Sequence, residues 1–256
     1  MNPFFTIVIA TFNDAVLLRK TLVSIASQTF DDYQLIVVDC ASSDNTADVV
    51  AEFRAIVSSF ISEPDNGIYD AWNKALQLRL GVWTCFLGSG DVVYPDFLYM
   101  YRQHILSHPR TDFICCRARL HTRHNLFRVI GSPFDWSDMR NRMNILHVGA
   151  MHNSCLFANS LFSLKYRVAS DYDFMLRCGN SLDASFINAV LLDMHPGGVS
   201  QVTVTPILES YAIKVSHKTV SPFSAAMSCL HLLIRFYAKA FLRLFIGKSL
   251  VFSSHE

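Results

Sequence analysis

The chain has 256 residues, of which 51% are hydrophobic and 17% charged, with a net charge of +1. This length suffices for the core of one large domain, and the apolar composition excludes a disordered chain and suggests contact with a membrane. The net charge is −6 over residues 1–116, +4 over 117–148, −2 over 149–209 and +5 over 210–256. An acidic front suits cation binding. The basic segments suit an anionic partner such as phosphate or lipid headgroups, although ordinary solvated surface explains 117–148 equally well.

Seven cysteines occur without a C-x-x-C spacing, and most lie in apolar runs. This pattern argues against a disulfide framework or a zinc site and for a reducing compartment. The chain enters a β-rich run by residue 4 without a basic segment and an apolar helix before it, so we expect no secretory signal. We expect no nucleic-acid partner either, because the basic residues lack a recognisable recognition module.

Strands and helices alternate over the first 117 residues. The apolar runs predict strands at 4–10, 35–39, 56–62, 82–87 and 113–116. Between them we predict a helix capped by Asn13 or Asp14, then helices from 46 to about 59, over 67–80, and from Pro95 to about 107. Alternation at this spacing indicates βαβ units and a mostly parallel, Rossmann-like central sheet with flanking helices.

After residue 117 the alternation weakens. The sequence predicts a hairpin around 118–130, a strand at 154–158, a helix at 171–178 and a strand at 186–192. This half is the less readable one, and no internal repeat accompanies it.

The C-terminal segment combines apolar residues with regularly spaced cations. His231, Arg235, Lys239 and Arg243 recur every four residues, which places them on one stripe of an amphipathic helix. Cations near the middle of a bilayer would each cost roughly 2.5–3.5 kcal/mol, which disfavours a spanning helix. A helix lying in the membrane interface fits better, while packing on the domain or a dimer contact remain open.

Two of the predicted strands run directly into an aspartate. Asp39 follows the second strand, and Asp91 follows the fourth through the turn 88–91. Carboxylates at the rim of an open α/β sheet stand where such folds bind ligands. The pair suggests a site for a nucleotide and a cation.

A polar loop precedes the third helix. Pro64 favours an extended approach, and Asp65 begins a turn of the Asp-Asn-Gly type. Asp70 and Lys74 then stand near the start of the helix, at the mouth of the sheet. Asp65 and Asp70 could equally serve as helix caps.

These segments follow one another in the order of a known motif series. The series resembles that of family 2 glycosyltransferases, which are inverting, nucleotide-sugar-dependent enzymes with the GT-A fold. The similarity is greatest to the branch that builds bacterial surface polysaccharides, and it covers about residues 4–201. It rests on the segments 11–13, 37–46, 63–75, 86–91, 152–154, 169–173 and 197–200.

The resemblance implies roles for individual residues. Asp39 would accept a hydrogen bond from the nucleotide base, which suggests a uridine donor, and Asp91 would hold Mg²⁺ or Mn²⁺ against the diphosphate. The cation would stabilise the charge left on the β-phosphate when the sugar leaves. The implied donor-binding residues are Thr11, Asn13, Asp39, Asp65, Asp70, Lys74 and Gly90.

Inversion also requires a base that takes the proton of the acceptor hydroxyl. Asp171 matches the aspartate that usually serves, although it could equally be a capping carboxylate, and Asp173 is the second candidate. His152 and His195 could aid the metal or phosphates, or could be structural. The acids that commonly accompany Asp91 and Asp171 are missing here, which leaves a catalytically weak, glycosyltransferase-like subunit of a membrane-bound assembly complex as the alternative.

The resemblance therefore implies a sugar transfer from a UDP-hexose or UDP-N-acetylhexosamine to a lipid-linked glycan. Residues 1–117 would form the nucleotide-sugar-binding half, 118–208 the acceptor-binding and catalytic-base half, and 209–256 a basic amphipathic tail. We expect a cytoplasmic protein that is peripheral on the inner face of the cell membrane. A dinucleotide-dependent oxidoreductase is disfavoured, because residues 10–15 contain no glycine.

Overall fold

The computed structural model describes residues 3–78, 80–121, 127–195 and 203–252. They form an α/β fold with helices on both faces of a central sheet. The strands are β1 (Phe5–Thr11), β2 (Tyr33–Asp39), β3 (Val57–Ser62), β4 (Trp83–Gly88), β5 (Val92–Val93), β6 (Phe113–His121), β7 (Phe127–Ile130), β8 (Met151–Asn153) and β9 (Ala184–Met194). The helices are α1 (Ala15–Ala26), α2 (Thr46–Glu52), α3 (Ile68–Leu76), α4 (Phe97–Ser107), α5 (Trp136–Met139), α6 (Ser170–Cys178), α7 (Thr205–Ser216) and α8 (Pro222–Phe252).

The front of the sheet, formed by β1 to β4, is parallel. β1 pairs with β2 on one side and with β4 on the other, and β3 extends the sheet beyond β2. Thr11 stands opposite Asp39, and Ala10 stands opposite Gly88, so β1, β2 and β4 end at one edge. The predicted Rossmann-like arrangement of this half is confirmed.

The side chains of each buried strand alternate between two cores. Ile7 and Ile9 of β1 pack in one core, together with Leu18 of α1. Val8 packs in the other core, together with Trp72 of α3. Burial on both faces explains why these strands read as continuous apolar runs rather than as alternating patterns.

The rear of the sheet is mixed. The order of the whole sheet is β3-β2-β1-β4-β8-β6-β9-β5, with β7 paired to β6. β8 runs antiparallel to both β4 and β6, whereas β9 runs parallel to β6 and antiparallel to β5. The predicted hairpin is confirmed by the pairing of β6 with β7, from Ala118 opposite Ile130 to His121 opposite Phe127.

Two predicted helix ends and one predicted type of element are wrong. α2 ends at Glu52 instead of near 59, because Val57–Ser62 pairs with β2 as an edge strand. In this strand, partly buried side chains alternate with exposed ones. α3 ends at Leu76 instead of at 80. The segment predicted as a strand at 154–158 is a 3₁₀ helix, Ser154–Phe157, whose first turn is capped by Asn153.

The C-terminal helices form a hairpin. The buried Lys214 of α7 donates to Ser228 of α8 across it, with a distance of 3.3 Å between Nζ and Oγ. On α8, His231 and Arg235 are exposed, as predicted, whereas the side chains of Lys239 and Arg243 lie outside the described residues. No helix in the described part of the chain is both long and apolar enough to cross a membrane.

Candidate active site

A cavity of about 760 Å³ opens at the carboxyl ends of β1 and β2. Thr11 and Phe12 line it after β1, and Cys40 lines it after β2. The segment 65–68, which leads into α3, forms another wall, and Arg167 contributes from the chain before α6. Of the predicted donor-binding residues, Thr11 and Asp65 therefore lie on the cavity surface.

Asn13 joins the turns that follow β1 and β2. Its backbone N–H donates to Ser42 Oγ at 2.7 Å, and its Oδ1 accepts from the Ser43 N–H at 2.8 Å. Its φ of +47° lies in the left-handed region, which asparagine tolerates better than most residues. Asn13 thus shapes the rim beside the cavity lining.

Asp39 is buried behind the cavity, with only 1% of its surface exposed. Its Oδ2 accepts from the Ser42 N–H at 3.0 Å and from Ser62 Oγ at 2.7 Å, and its Oδ1 accepts from Ser42 Oγ. Three donors from the fold therefore occupy most of the acceptor capacity of this carboxylate. A further acceptor position remains on Oδ1.

The loop before α3 is held by its own side chains. Asp65 Oδ1 accepts from the Gly67 N–H at 2.8 Å, and Asp70 Oδ2 accepts from the Asn66 N–H at 2.9 Å. Lys74 Nζ lies 2.9 Å from Glu63 Oε1 and donates to the carbonyl oxygen of Pro64 at 2.7 Å. Asp70 and Lys74 are therefore engaged with the loop and are not part of the cavity lining.

Gly90 and Asp91 lie in the turn after β4. Asp91 is buried, and its two carboxylate oxygens accept from the backbone N–H groups of Gly88, at 2.8 Å, and His195, at 3.3 Å. Burial raises the pKa of Asp91 to about 6. Gly90 has a φ of +94°, and a Cβ added there would lie 2.8 Å from Cβ of His195.

This turn contacts the cavity through a neighbouring residue. Ser89 Oγ donates to Thr11 Oγ1 at 2.8 Å. The described residues contain no group of three His, Cys, Asp or Glu side chains that could hold a metal ion alone. Asp91 is a buried carboxylate that forms no ion pair with the residues the structure describes. It nevertheless fits Mg²⁺ or Mn²⁺ that takes its other ligands from phosphates and water, as such hard cations commonly do.

Asp171 lies in the first turn of α6. Its Oδ1 lies 3.0 Å from the Tyr69 hydroxyl and accepts from the Tyr172 N–H at 2.8 Å. Burial raises the pKa of Asp171 to about 6. The Tyr69 hydroxyl is also 2.9 Å from the carbonyl oxygen of Val168. One hydroxyl proton cannot serve both acceptors, so the pair accommodates Asp171 either ionised, accepting from Tyr69, or protonated, donating to it.

Asp173, the second candidate base, has different surroundings. Its carboxylate is 3.0 Å from Nε of Arg177 and 2.8 Å from Nε2 of His217. It therefore joins α6 to the chain after α7, and both of its oxygens are occupied. This geometry favours Asp171 as the residue available to a substrate.

Two histidines are enclosed in an aromatic core. His152 and His147 are buried, with ring centroids 4.9 Å apart, and His147 also stacks on Trp72. Burial lowers the pKa of His147 to about 3 and holds that of His152 well below its usual range. His152 is thus a core residue, whereas His195 is exposed beside Gly90. The motif segment 197–200 lies outside the described residues.

The fold brings two further residues to this site, which the sequence patterns do not single out. Arg167 lines the cavity, and Glu209 of α7 accepts hydrogen bonds from three consecutive backbone N–H groups, those of Arg167, Val168 and Ala169, at 2.8, 2.9 and 2.9 Å. The only sequence signal for Arg167 is a cation four residues before the candidate base. Glu209 has none, because its partners are about 40 residues away.

The comparisons with known proteins agree with this geometry. The family model described as Glycosyl transferase family 2 matches residues 6–162. A PGL/p-HBAD biosynthesis glycosyltransferase of Mycobacterium tuberculosis is 32% identical over 210 residues, which cover 79% of this chain and 81% of the relative.

Solved structures share the fold at low identity. TarS of S. aureus in complex with UDP-GlcNAc matches with a TM-score of 0.69 and 15% identity, over 93% of this chain and 73% of that chain. The mannosyltransferase PcManGT from Pyrobaculum calidifontis, in complex with GDP-Man and Mn²⁺, matches with a TM-score of 0.62 and 16% identity, over 98% and 81%. The fold and the site thus define a GT-A glycosyltransferase. Within that class, the chain belongs to glycosyltransferase family 2.

Proposed function

We propose that this protein transfers a sugar from UDP-hexose or UDP-N-acetylhexosamine to a lipid-linked glycan, with inversion at the anomeric carbon. The observation that carries the proposal is the cavity at the ends of β1 and β2, bordered by the turn that holds Asp91. Three similar structures contain a uracil nucleotide or nucleotide sugar according to their names: TarS with UDP, TarS with UDP-GlcNAc, and glucosyl-3-phosphoglycerate synthase with UDP and Mn²⁺.

The base and ribose of the donor would occupy this cavity. Thr11 and Asp65 line it, Asn13 and Asp39 fix the turns behind it, and Asp70 keeps the loop before α3 in place. The remaining acceptor position on Asp39 suits one N–H of uracil. Lys74 would act through the same loop, because its ammonium group is already paired with Glu63.

Asp91 would hold the divalent cation, and Gly90, which has no side chain, would allow the backbone to approach that cation closely. When bound, Mg²⁺ or Mn²⁺ would neutralise charge on the leaving diphosphate. The two backbone N–H groups fix the orientation of the carboxylate of Asp91, so its remaining lone pairs have a defined direction.

Asp171 would act as the general base. The acceptor hydroxyl oxygen attacks the anomeric carbon, the bond from that carbon to the diphosphate oxygen breaks, and the hydroxyl proton moves to the Asp171 carboxylate. A pKa near 6 leaves this carboxylate ionised at neutral pH and makes it a stronger base than an ordinary aspartate. Residues 118–208, which contain Asp171, would form the acceptor half beside a nucleotide half of residues 1–117.

Residues 209–256 would bind the cytoplasmic face of the cell membrane and bring the enzyme to a lipid-linked acceptor. Among the described side chains of α8, seven large apolar ones are exposed. All but Leu232 follow one another at spacings of four and three residues, which places them on one stripe: Phe223, Met227, Leu230, Ile234, Tyr237 and Phe241. Residues 222–252 contain four Lys or Arg and no acidic residue, which suits anionic headgroups. The mycobacterial relative is named for PGL/p-HBAD biosynthesis.

A donor screen tests the proposed activity. Purified protein with Mn²⁺ is incubated with a panel of UDP- and GDP-sugars, and release of the nucleoside diphosphate is measured without acceptor. We expect slow hydrolysis of one UDP-sugar. If no donor is hydrolysed although calorimetry detects UDP binding, the catalytically weak subunit becomes the better description; if no nucleotide binds either, the proposed donor class is wrong.

Flotation with vesicles tests the role of the tail. We expect the full chain to bind vesicles containing anionic lipid, and expect the double variant Leu230→Glu, Ile234→Glu to bind at least tenfold more weakly, since each apolar side chain contributes roughly 1.5–3 kcal/mol on burial. Ser224→Glu adds a negative charge at an exposed position outside the apolar stripe and is the control. Equal binding by the double variant, or a dimer that only this variant disrupts, would contradict membrane docking.

A further inference from the structure

Among the described residues that line the cavity, Arg167 is the one with a cationic side chain. Lys74 stands near the same loop, but its ammonium group pairs with the carboxylate of Glu63 and donates to the carbonyl oxygen of Pro64. Arg167 lines the cavity, and among the described residues it forms no ion pair. A guanidinium group stays charged at all relevant pH values. Arg167 therefore brings a positive charge to a cavity that Asp65 also lines, and no carboxylate among the described residues pairs directly with it.

The backbone that carries Arg167 is fixed from α7. Glu209 Oε1 accepts from the N–H of Arg167, and Oε2 accepts from those of Val168 and Ala169. Hydrogen bonds to a charged acceptor are the stronger kind, and three of them on one carboxylate hold the segment 167–169 in one conformation. Fixing the backbone before binding reduces the ordering cost that an arginine would otherwise incur when it engages a ligand.

We infer that Arg167, held in position by Glu209, binds the diphosphate of the nucleotide donor. This inference rests on the proposed function and deepens it. The planar fork of a guanidinium group matches two phosphate oxygens. The two negative charges of a nucleotide-sugar diphosphate and the charge of the Asp91 carboxylate together exceed the two positive charges of one divalent cation.

Calorimetry with two probes tests the inference. UDP and uridine are each titrated, with Mn²⁺ present, into wild type and into Arg167→Gln. We expect Arg167→Gln to weaken UDP binding by about ten- to hundredfold and to leave uridine binding within twofold, because only UDP carries the phosphates. Arg167→Lys keeps the charge but loses the fork, so it should fall between wild type and Arg167→Gln.

Lys165→Gln is the matched control. Lys165 belongs to the same segment, lies 5.3 Å from the centre of the Tyr166 ring, and does not line the cavity. The variant removes the same charge, so it should bind UDP like wild type. Thermal melting of all variants checks that the fold is intact.

A double-mutant cycle separates positioning by Glu209 from a merely structural role. Glu209→Gln should weaken UDP binding in the wild-type background and have little further effect when Arg167 is already Gln, because it acts through Arg167. Equal effects of Glu209→Gln in both backgrounds would overturn its positioning role.

The inference as a whole is overturned if Arg167→Gln binds UDP within twofold of wild type, or if it weakens uridine as much as UDP. In both cases wild type still binds UDP, so the proposed donor class survives. A wild-type protein that binds neither probe overturns the proposed donor class and this inference with it.

Discussion

The turn after β4 holds the buried carboxylate of Asp91, and the first turn of α6 holds the half-buried carboxylate of Asp171. Loss of solvent raises the pKa of both to about 6. Their partners differ. Asp91 is bound by two backbone N–H groups, which can only donate. Asp171 is bound by one backbone N–H and by the Tyr69 hydroxyl, which can donate or accept.

The difference shows that equal pKa shifts can prepare carboxylates for different tasks. The two N–H groups that contact Asp91 favour its ionised form. A bound cation would therefore offset the cost of burying this negative charge. Around Asp171 the hydroxyl of Tyr69 serves both protonation states, so the group can take a proton without losing its partner. Asp91 is suited to binding a cation, and Asp171 is suited to proton transfer.

The largest expected effect is that of Asp171→Asn. We expect kcat to fall about 10²- to 10⁴-fold, because the variant cannot take the acceptor proton, while calorimetry shows UDP affinity within twofold of wild type. Asp138→Asn, on the exposed side of α5, is the control. The assignment is wrong if Asp173→Asn stops turnover in a stable protein and Asp171→Asn does not.

Asp91→Asn should lower kcat about 10²- to 10³-fold, the range seen when one charge-stabilising group is lost. It should also abolish the dependence on Mn²⁺, which Asp171→Asn should retain. Activity and UDP binding are measured with and without Mn²⁺, and UDP affinity in its absence should not change. If both variants lose the response to Mn²⁺ equally, the division of roles between the two carboxylates fails.

The pH profile sharpens the comparison further. Because the base must be ionised, kcat/KM should fall about tenfold per pH unit below pH 6 when Mn²⁺ saturates Asp91. Tyr69→Phe removes a hydrogen bond that stabilises ionised Asp171. The fall in kcat/KM on the acid side of the profile should therefore shift to a higher pH, by less than about one unit. Tyr172→Phe is the control, since the Tyr172 hydroxyl donates to the carbonyl oxygen of Met139 instead. A limb unmoved by Tyr69→Phe would contradict the coupling of Tyr69 to Asp171.

Of these variants, Asp39→Asn should change kcat the least, but it should clearly lower the free energy of unfolding. The new amide N–H₂ would face donors from Ser42 or Ser62 that now reach the carboxylate. An unsatisfied buried donor costs about 1–3 kcal/mol, and each kcal/mol lowers Tm by about 2–4 °C in a protein of this size. Thermal melting measures the loss. A variant with unchanged Tm but weak UDP binding would show that Asp39 serves the donor alone.

The sequence predicts the front of this fold well because the information there is local. β1, β2 and β4 are buried on both faces, which leaves continuous apolar runs, and the aspartates at their ends mark the rim directly. β8 is only three residues long, which is too short to show a periodic pattern in the sequence. Its antiparallel pairing with β4 and β6 depends on contacts with residues that are distant along the chain.

The site is less predictable than the rim. The place of Lys74 beside the loop predicts that it binds the donor, yet its ammonium group forms an ion pair with Glu63, eleven positions earlier. Arg167 reaches the cavity only because Glu209, far along the chain, anchors its backbone. Which cation faces a ligand depends on such distant partners, and a single sequence carries no local signal for them.

The buried pair His147 and His152 has a consequence for acid tolerance. Their pKa values are lowered in the folded protein, so each takes up a proton when the chain unfolds, and the stability that they contribute above about pH 6.5 is lost as the pH falls. Asp91 and Asp171 act in the opposite sense between about pH 4 and 6, because the folded protein binds their protons more tightly than the unfolded chain.

The two pairs therefore offset one another while the active site is empty. A cation that keeps Asp91 ionised removes its share of the carboxylate contribution, so that only Asp171 still opposes the histidines. Its stabilisation of the folded enzyme should consequently shrink on acidification, and the gain in Tm from Mn²⁺ and UDP should be larger at pH 7 than at pH 5.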